Sequence, residues 1–158
     1  MPYCTIDDIN NGGFFKFDVT AMTTLINKQP ARTVINDDII PLVDSKIDDE
    51  LRMYYAVPVD ATVSPKATLT LNRIAKWYVA AEIASRIYLQ QGTSDSPQSQ
   101  TWRALADAEI VKIQTKGNYL ADAVKSADSP DRVSDLISDN LSQPTRKQGP
   151  LLSVSKVY

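Results

Sequence analysis

The 158-residue chain contains no histidine, a single cysteine and five glycines, and its charges nearly cancel. Without histidine it lacks the commonest general base near neutral pH and the commonest metal ligand. Cys4 cannot close an intrachain disulfide, so nothing calls for an oxidising compartment, and the expected role of that thiol is a small buried hydrophobe. Seventeen basic against nineteen acidic residues leave a formal charge of -2, which gives no general attraction to phosphate backbones or anionic membranes. No eighteen apolar residues run together, and the first twenty positions include Asp7, Asp8 and Lys16, so neither a membrane span nor a signal peptide is expected. The Gly12-Gly13 pair is a bend, because no GxxxxGK pattern follows it. The hydrophobic share of 43% is enough for one core at this length, so one globular domain is the default.

What the chain does have is helical periodicity. From Asn36 to Tyr55, apolar residues fall at Ile40, Val43, Ile47, Leu51 and Tyr54, one face of a helix that Asn36 or Asp37 can cap and Pro58 ends. Pro41 is expected in or just past its first turn, with Asp48 and Arg52 as an i, i+4 pair on the outer face. A central helix is expected from about residue 67 to 91, with Leu71, Ile74, Tyr78, Ala81 and Tyr88 on one stripe, widened by Trp77, Ala80, Ala84 and Ile87. Ser96 and Pro97 announce a third helix carrying Trp102, Leu105, Ala106, Ile110 and Ile113, which Gly117 and Asn118 stop. Thr5 caps a short helix over TIDDIN, and FFKFDVTAMTTLIN is compatible with strand or helix. The fold class read from these segments is all-α: a small bundle of three main helices and a short N-terminal one over residues 1–120. Residues 121–158 form an extended arm, since the Ser-, Asp-, Pro- and Gln-dense stretch after Leu120 holds too little apolar surface to fold alone. Its last residues, LLSVSKVY, alternate like a half-buried strand that needs another protein's edge.

The chemistry on offer is thin. Asp48, Asp49 and Glu50 are consecutive on a helix and diverge, so they cannot act as a paired acid and base, and they read as a solvated face. Asp37 and Asp38 suit a helix N-terminus. Tyr54, Tyr55, Trp77, Tyr78 and Trp102 are expected in the core or against a neighbouring subunit, because base stacking would want more cations than Arg73, Lys76 and Arg86 around them. No enzymatic activity, cofactor or metal is expected.

Laid out in order, YCTIDDI, IIPLVDSKIDDELRMYYAVP, LTLNRIAKWYVAAEIASRIY and WRALADAEIVKIQTKGNYL make the chain resemble the small helical head-to-tail adaptor (connector, head completion) proteins of tailed bacteriophages. By position, Tyr3, Cys4, Thr5 and Asp8 match that family's opening motif. Ile47, Asp48, Tyr55 and Pro58 match its second helix and stop, and Ile74, Ala75 and Ala81 its central helix. Tyr54 departs from it, standing where the family often has arginine, and the segment from Gly13 to Val34 and the arm are both longer than in the family. The resemblance implies a virion neck protein, assembled in the host cytoplasm as a ring of about twelve copies. The ring would sit below the portal protein, meet a tail-completion or tail-terminator protein and let genomic DNA pass without specific binding or any membrane. In that setting Asp44, Asp48 and Asp49 are candidate channel-facing acids that repel phosphates. Leu151, Leu152, Val154, Val157 and Tyr158 are candidates for docking on the portal or another partner. A small helical DNA-binding regulator or genome-packaging initiation subunit is the alternative, and it calls for a basic recognition helix.

Overall fold

The structure, a computed structural model, describes residues 2–16, 18–21, 31–90, 96–115, 119–127 and 129. It is all-α: helix α1 spans Ile6–Asn11, α2 Ala31–Val34, α3 Ile40–Leu51, α4 Pro65–Gln90 and α5 Pro97–Thr115. The only extended pairing among the described residues is one antiparallel bridge between Tyr55 and Lys125. Residues 14 to 27, open between strand and helix in the sequence, form a 3-10 turn at Val19–Ala21 where they are described.

Helix α1 is short and closes through a capping box. The Asp8 N–H donates to Thr5 Oγ1 at 3.3 Å, and the Thr5 N–H donates back to Asp8 Oδ2 at 2.8 Å. Gly13 follows at φ 69, a left-handed turn that glycine adopts without strain, as the expected bend requires. The turn brings Phe14 and Phe15 edge-on to Trp102, with centroids at 5.5 and 5.7 Å.

The helix expected to start at Asn36 or Asp37 starts earlier. Helix α2 runs through a π turn at Ile35–Ile39 directly into α3, so Asn36, Asp37 and Asp38 lie inside a continuous helical rod and cap nothing. The wide turn, with the Ile40 N–H donating to the Ile35 carbonyl, stands just ahead of Pro41. Proline has no N–H to give and its ring crowds the preceding turn, which a one-residue bulge accommodates. The rod also ends early, at Leu51 and well before Pro58. Tyr54 and Tyr55 both donate to the Leu51 carbonyl, at 2.8 and 2.9 Å, and the chain then turns to pair with residues 124–126. The aromatic doublet therefore lies past the helix.

Helix α4 is the axis of the bundle and packs most extensively on α5. Ala75, Ala80, Ala81 and Ala84 are buried along it, which lets neighbours approach closely. Ser96 caps α5 as its sequence promises, accepting from the N–H groups of Gln98 at 3.2 Å and Ser99 at 3.3 Å. Helix α5 turns Ser99, Ala106, Ile110 and Ile113 inward. Leu105, expected in the core, is 45% exposed because it lies about 100° round the helix from Ala106. Tyr88, expected on the buried stripe of α4, is also exposed, at 38%.

Residues 121–127 belong to the helical body rather than to an arm. The Asp122 carboxylate accepts from the N–H groups of Lys66 at 2.7 Å and Ala67 at 2.8 Å, capping α4 from 56 and 55 positions away. Ser64 Oγ donates to the Asp122 carbonyl. The Ala56 N–H donates to Val124 and the Ser126 N–H to Tyr54. Upstream, Tyr119 Oη donates to Glu109 at 2.6 Å, where Lys112 and Arg73 also converge. The bonds from Lys112 and then Tyr119 hold the Glu109 carboxyl below the usual range.

Candidate functional site

The residues singled out in the sequence meet around Tyr3. It is 3% exposed, although it lies in an irregular stretch at residues 2–5. Its hydroxyl donates to Asp48 Oδ1 at 2.5 Å and accepts from the Val59 N–H at 3.0 Å. Its own N–H donates to Asp44 Oδ1 at 3.2 Å, and its carbonyl accepts from Asn72 Nδ2 at 2.8 Å. One residue thus ties α3, the α3–α4 connection and α4 together. Asn72 also reaches Asp8 Oδ2 at 3.3 Å, which joins the cap of α1 to the same knot.

Above the knot lies an open cleft of about 600 Å³, walled by Pro2, Ile40, Pro41 and Pro58, with Asp44 and Asp48 one helical turn apart on its floor. Burial, reinforced by the Asp48 charge, raises the Asp44 carboxyl above the usual carboxylate range, against the opposing bond from the Tyr3 N–H. Burial and the bond to Asp48 push the Tyr3 hydroxyl well up. Burial, with the Asp44 and Asp8 charges, pushes the Cys4 thiol up to about 12, so at neutral pH it is a protonated core residue and no nucleophile. At Asp8, burial works upward but is outweighed by the Thr5 N–H, the Thr5 hydroxyl and Asn72, and the carboxyl lies below its ordinary value.

Of the three candidate channel acids, Asp44 and Asp48 are therefore engaged with Tyr3. Asp49 faces solvent and pairs with Arg52 at 2.9 Å, both side chains about two-thirds exposed. That i, i+3 bridge replaces the Asp48–Arg52 pair expected from the sequence. Among the aromatics, Tyr55 and Tyr78 are buried, while Tyr54, Trp77 and Trp102 are partly exposed. The Tyr78 hydroxyl donates to Asp107 and Lys46 Nζ sits 4.0 Å from the ring centre. Arg73 lies 5.6 Å from the Trp77 ring. Leu151, Leu152, Val154, Val157 and Tyr158 lie outside the described residues. No sequence pattern marks Asn72, Asp107 or Asp122 as contacts. Each acts on a residue 29 or more positions away.

Among the described residues no three His, Cys, Asp or Glu side chains are grouped to hold a metal ion. No helix among them is long and apolar enough to cross a membrane. Set against protein-family models, curated proteins and solved structures, the chain matches none.

Proposed function

We propose that the chain is a structural subunit of a tailed-bacteriophage neck, an adaptor that assembles as a ring beneath the portal, joins head to tail and leaves a passage for DNA. The observation that carries this reading is the convergence of the residues behind the resemblance. Tyr3, Thr5 and Asp8 of the opening stretch and Asp48 of the second helix share one hydrogen-bond knot, with Cys4 buried beside it. Ile47, Tyr55, Ile74, Ala75 and Ala81 are all buried in the body behind it. Motifs that are generic singly are here parts of one packed unit. The reading leaves Asp49 as the acid placed to face a DNA passage, and it assigns residues 151–158 to contact with the portal.

Electron microscopy of purified protein mixed with portal tests it: the expected result is a ring stacked coaxially on the portal. Deleting residues 150–158 is expected to abolish that stacking while leaving the helical body folded. Salt-resistant, sequence-specific retardation of DNA, with no binding to portal, would overturn the reading in favour of a regulator.

A further inference from the structure

The cleft above Tyr3 combines two properties that point to the chemistry of its occupant. Its lining is mainly apolar, with three prolines and Ile40 beside the polar Thr5 and Asn36, and it holds two carboxylates four residues apart. Among the described residues the Asp44 carboxylate accepts only the Tyr3 N–H, at 3.2 Å. An apolar cleft with an acidic floor suits a cation carried between apolar side chains. The chain has such a segment beyond its described residues. In the sequence LLSVSKVY, Lys156 alternates with Leu152, Val154 and Tyr158, so an extended conformation would frame a lysine with apolar neighbours. Of the other cations beyond residue 129, Arg132 has Pro130 and Ser134 at its alternating positions, Arg146 has Pro144 and Gln148, and Lys147 has Thr145 and Gly149, so none has that frame.

We infer that this cleft is occupied by residues 151–158 of the same chain, with the Lys156 ammonium against Asp44 and Asp48 and its apolar neighbours against Pro41, Ile40 and Pro58. Tethering decides for the same chain over a second copy. The 21 residues at positions 130–150 can span about 70 Å, enough to cross a body of this size. A segment tethered by so short a connection is presented at about millimolar effective concentration, far above a second copy in micromolar solution. The cleft thereby stores the docking segment in the free protein, and a partner that binds residues 151–158 must first draw them off. This inference goes beyond the adaptor reading and stands or falls without it.

Paramagnetic relaxation in the full chain tests it. A spin label on Ser153→Cys is selective, because Cys4 is buried and its thiol stays protonated. In the isotope-labelled protein, the amide signals of Asn36, Ile40 and Asp44 are expected to broaden. A mixture of isotope-labelled chains lacking the spin label with unlabelled chains carrying it is expected to show no broadening. Adding Lys156→Glu, which leaves the helical body untouched, is expected to restore the signals, as is Asp44→Asn. Sharp signals at those three amides in the singly labelled sample would overturn the inference, and so would broadening that survives Lys156→Glu. Broadening that appears in the mixed sample as well would also overturn it, assigning the cleft to a second copy.

Discussion

Two tyrosine–aspartate pairs tie parts of this bundle together, and they do different work. Tyr78 of α4 meets Asp107 of α5, with Lys46 of α3 3.7 Å from the same carboxylate. That pair joins helices already packed along their length, and Asp107 is 58% exposed. Tyr3 meets Asp48 from outside any helix and also receives the Val59 N–H at a buried position. Burial and the neighbouring carboxylate raise both hydroxyls. The contrast lies in what is left when the hydroxyl goes: at Tyr78 an exposed carboxylate returns to water, whereas at Tyr3 the buried Val59 N–H loses its acceptor. A hydrogen bond matters to stability according to the partner it would orphan, more than according to its own length.

The apolar floor sets the scale for comparing the two. Leu51 is fully buried one turn beyond Asp48, and Leu51→Ala is expected to cost about 2 to 5 kcal/mol through lost contacts and the cavity left behind. A chemical-denaturation curve that does not move would remove this face of α3 from the core. Next in size, Tyr3→Phe is expected to cost about 1 to 3 kcal/mol, because the buried Val59 N–H loses its acceptor. Tyr78→Phe is expected to cost no more than about 1 kcal/mol, since the exposed Asp107 returns to water. Equal losses in the two variants would break the distinction drawn between the pairs.

A smaller and pH-dependent effect separates two acids within the knot itself. Asp8 lies below its ordinary value, so it contributes stability that is present above the unfolded carboxylate range and is lost as pH falls through the folded value. Asp44 lies above its ordinary value, so the fold prefers its protonated form, and the ionised form costs stability at neutral pH that is recovered as pH falls through the ordinary carboxylate range. In the chain lacking residues 150–158, Asp44→Asn keeps an acceptor for the Tyr3 N–H and is expected to raise the melting temperature slightly at pH 7, with the gain vanishing in acid. Asp8→Asn is expected to lower it at pH 7, with the loss shrinking in acid. Melting curves across pH 3 to 7 check both signs.

The helices were legible in the sequence because their signals are local: Thr5 and Ser96 cap where side-chain chemistry says they cap, and the stripes of α3 and α4 recur at helical spacing. Leu105 was misplaced because periodicity finds an apolar arc without saying which flank a neighbour covers. The π turn was hidden because Pro41 reads equally well as an early helix residue or as the cause of a bulge. The knot was half legible: its members stood out by resemblance, but the bonds joining Tyr3 to Asp48, Val59 and Asn72 span 45, 56 and 69 positions and leave no pattern in the chain. The Asp122 cap was missed for the same reason, and with it the extension of the body past Leu120.

The smallest expected effect concerns the neighbours Asp48 and Asp49, which the sequence presents as equivalent acids. Asp48 receives the Tyr3 hydroxyl, whereas Asp49 points to solvent and pairs with an equally exposed Arg52. An exposed bridge of this kind gains little Coulomb energy in water and is screened by salt, so Asp49→Asn is expected to change stability by less than about 0.5 kcal/mol. Asp48→Ala is expected to cost more, because the buried Tyr3 hydroxyl loses its acceptor. If Asp49 faces a DNA passage in the assembled ring, Asp49→Lys is expected to be thermally silent yet to increase DNA retention by ring–portal complexes, most strongly at low salt, where phosphate attraction is least screened. Retention unchanged between wild type and Asp49→Lys at low salt would leave this acid as an ordinary solvated surface residue and remove it from the passage.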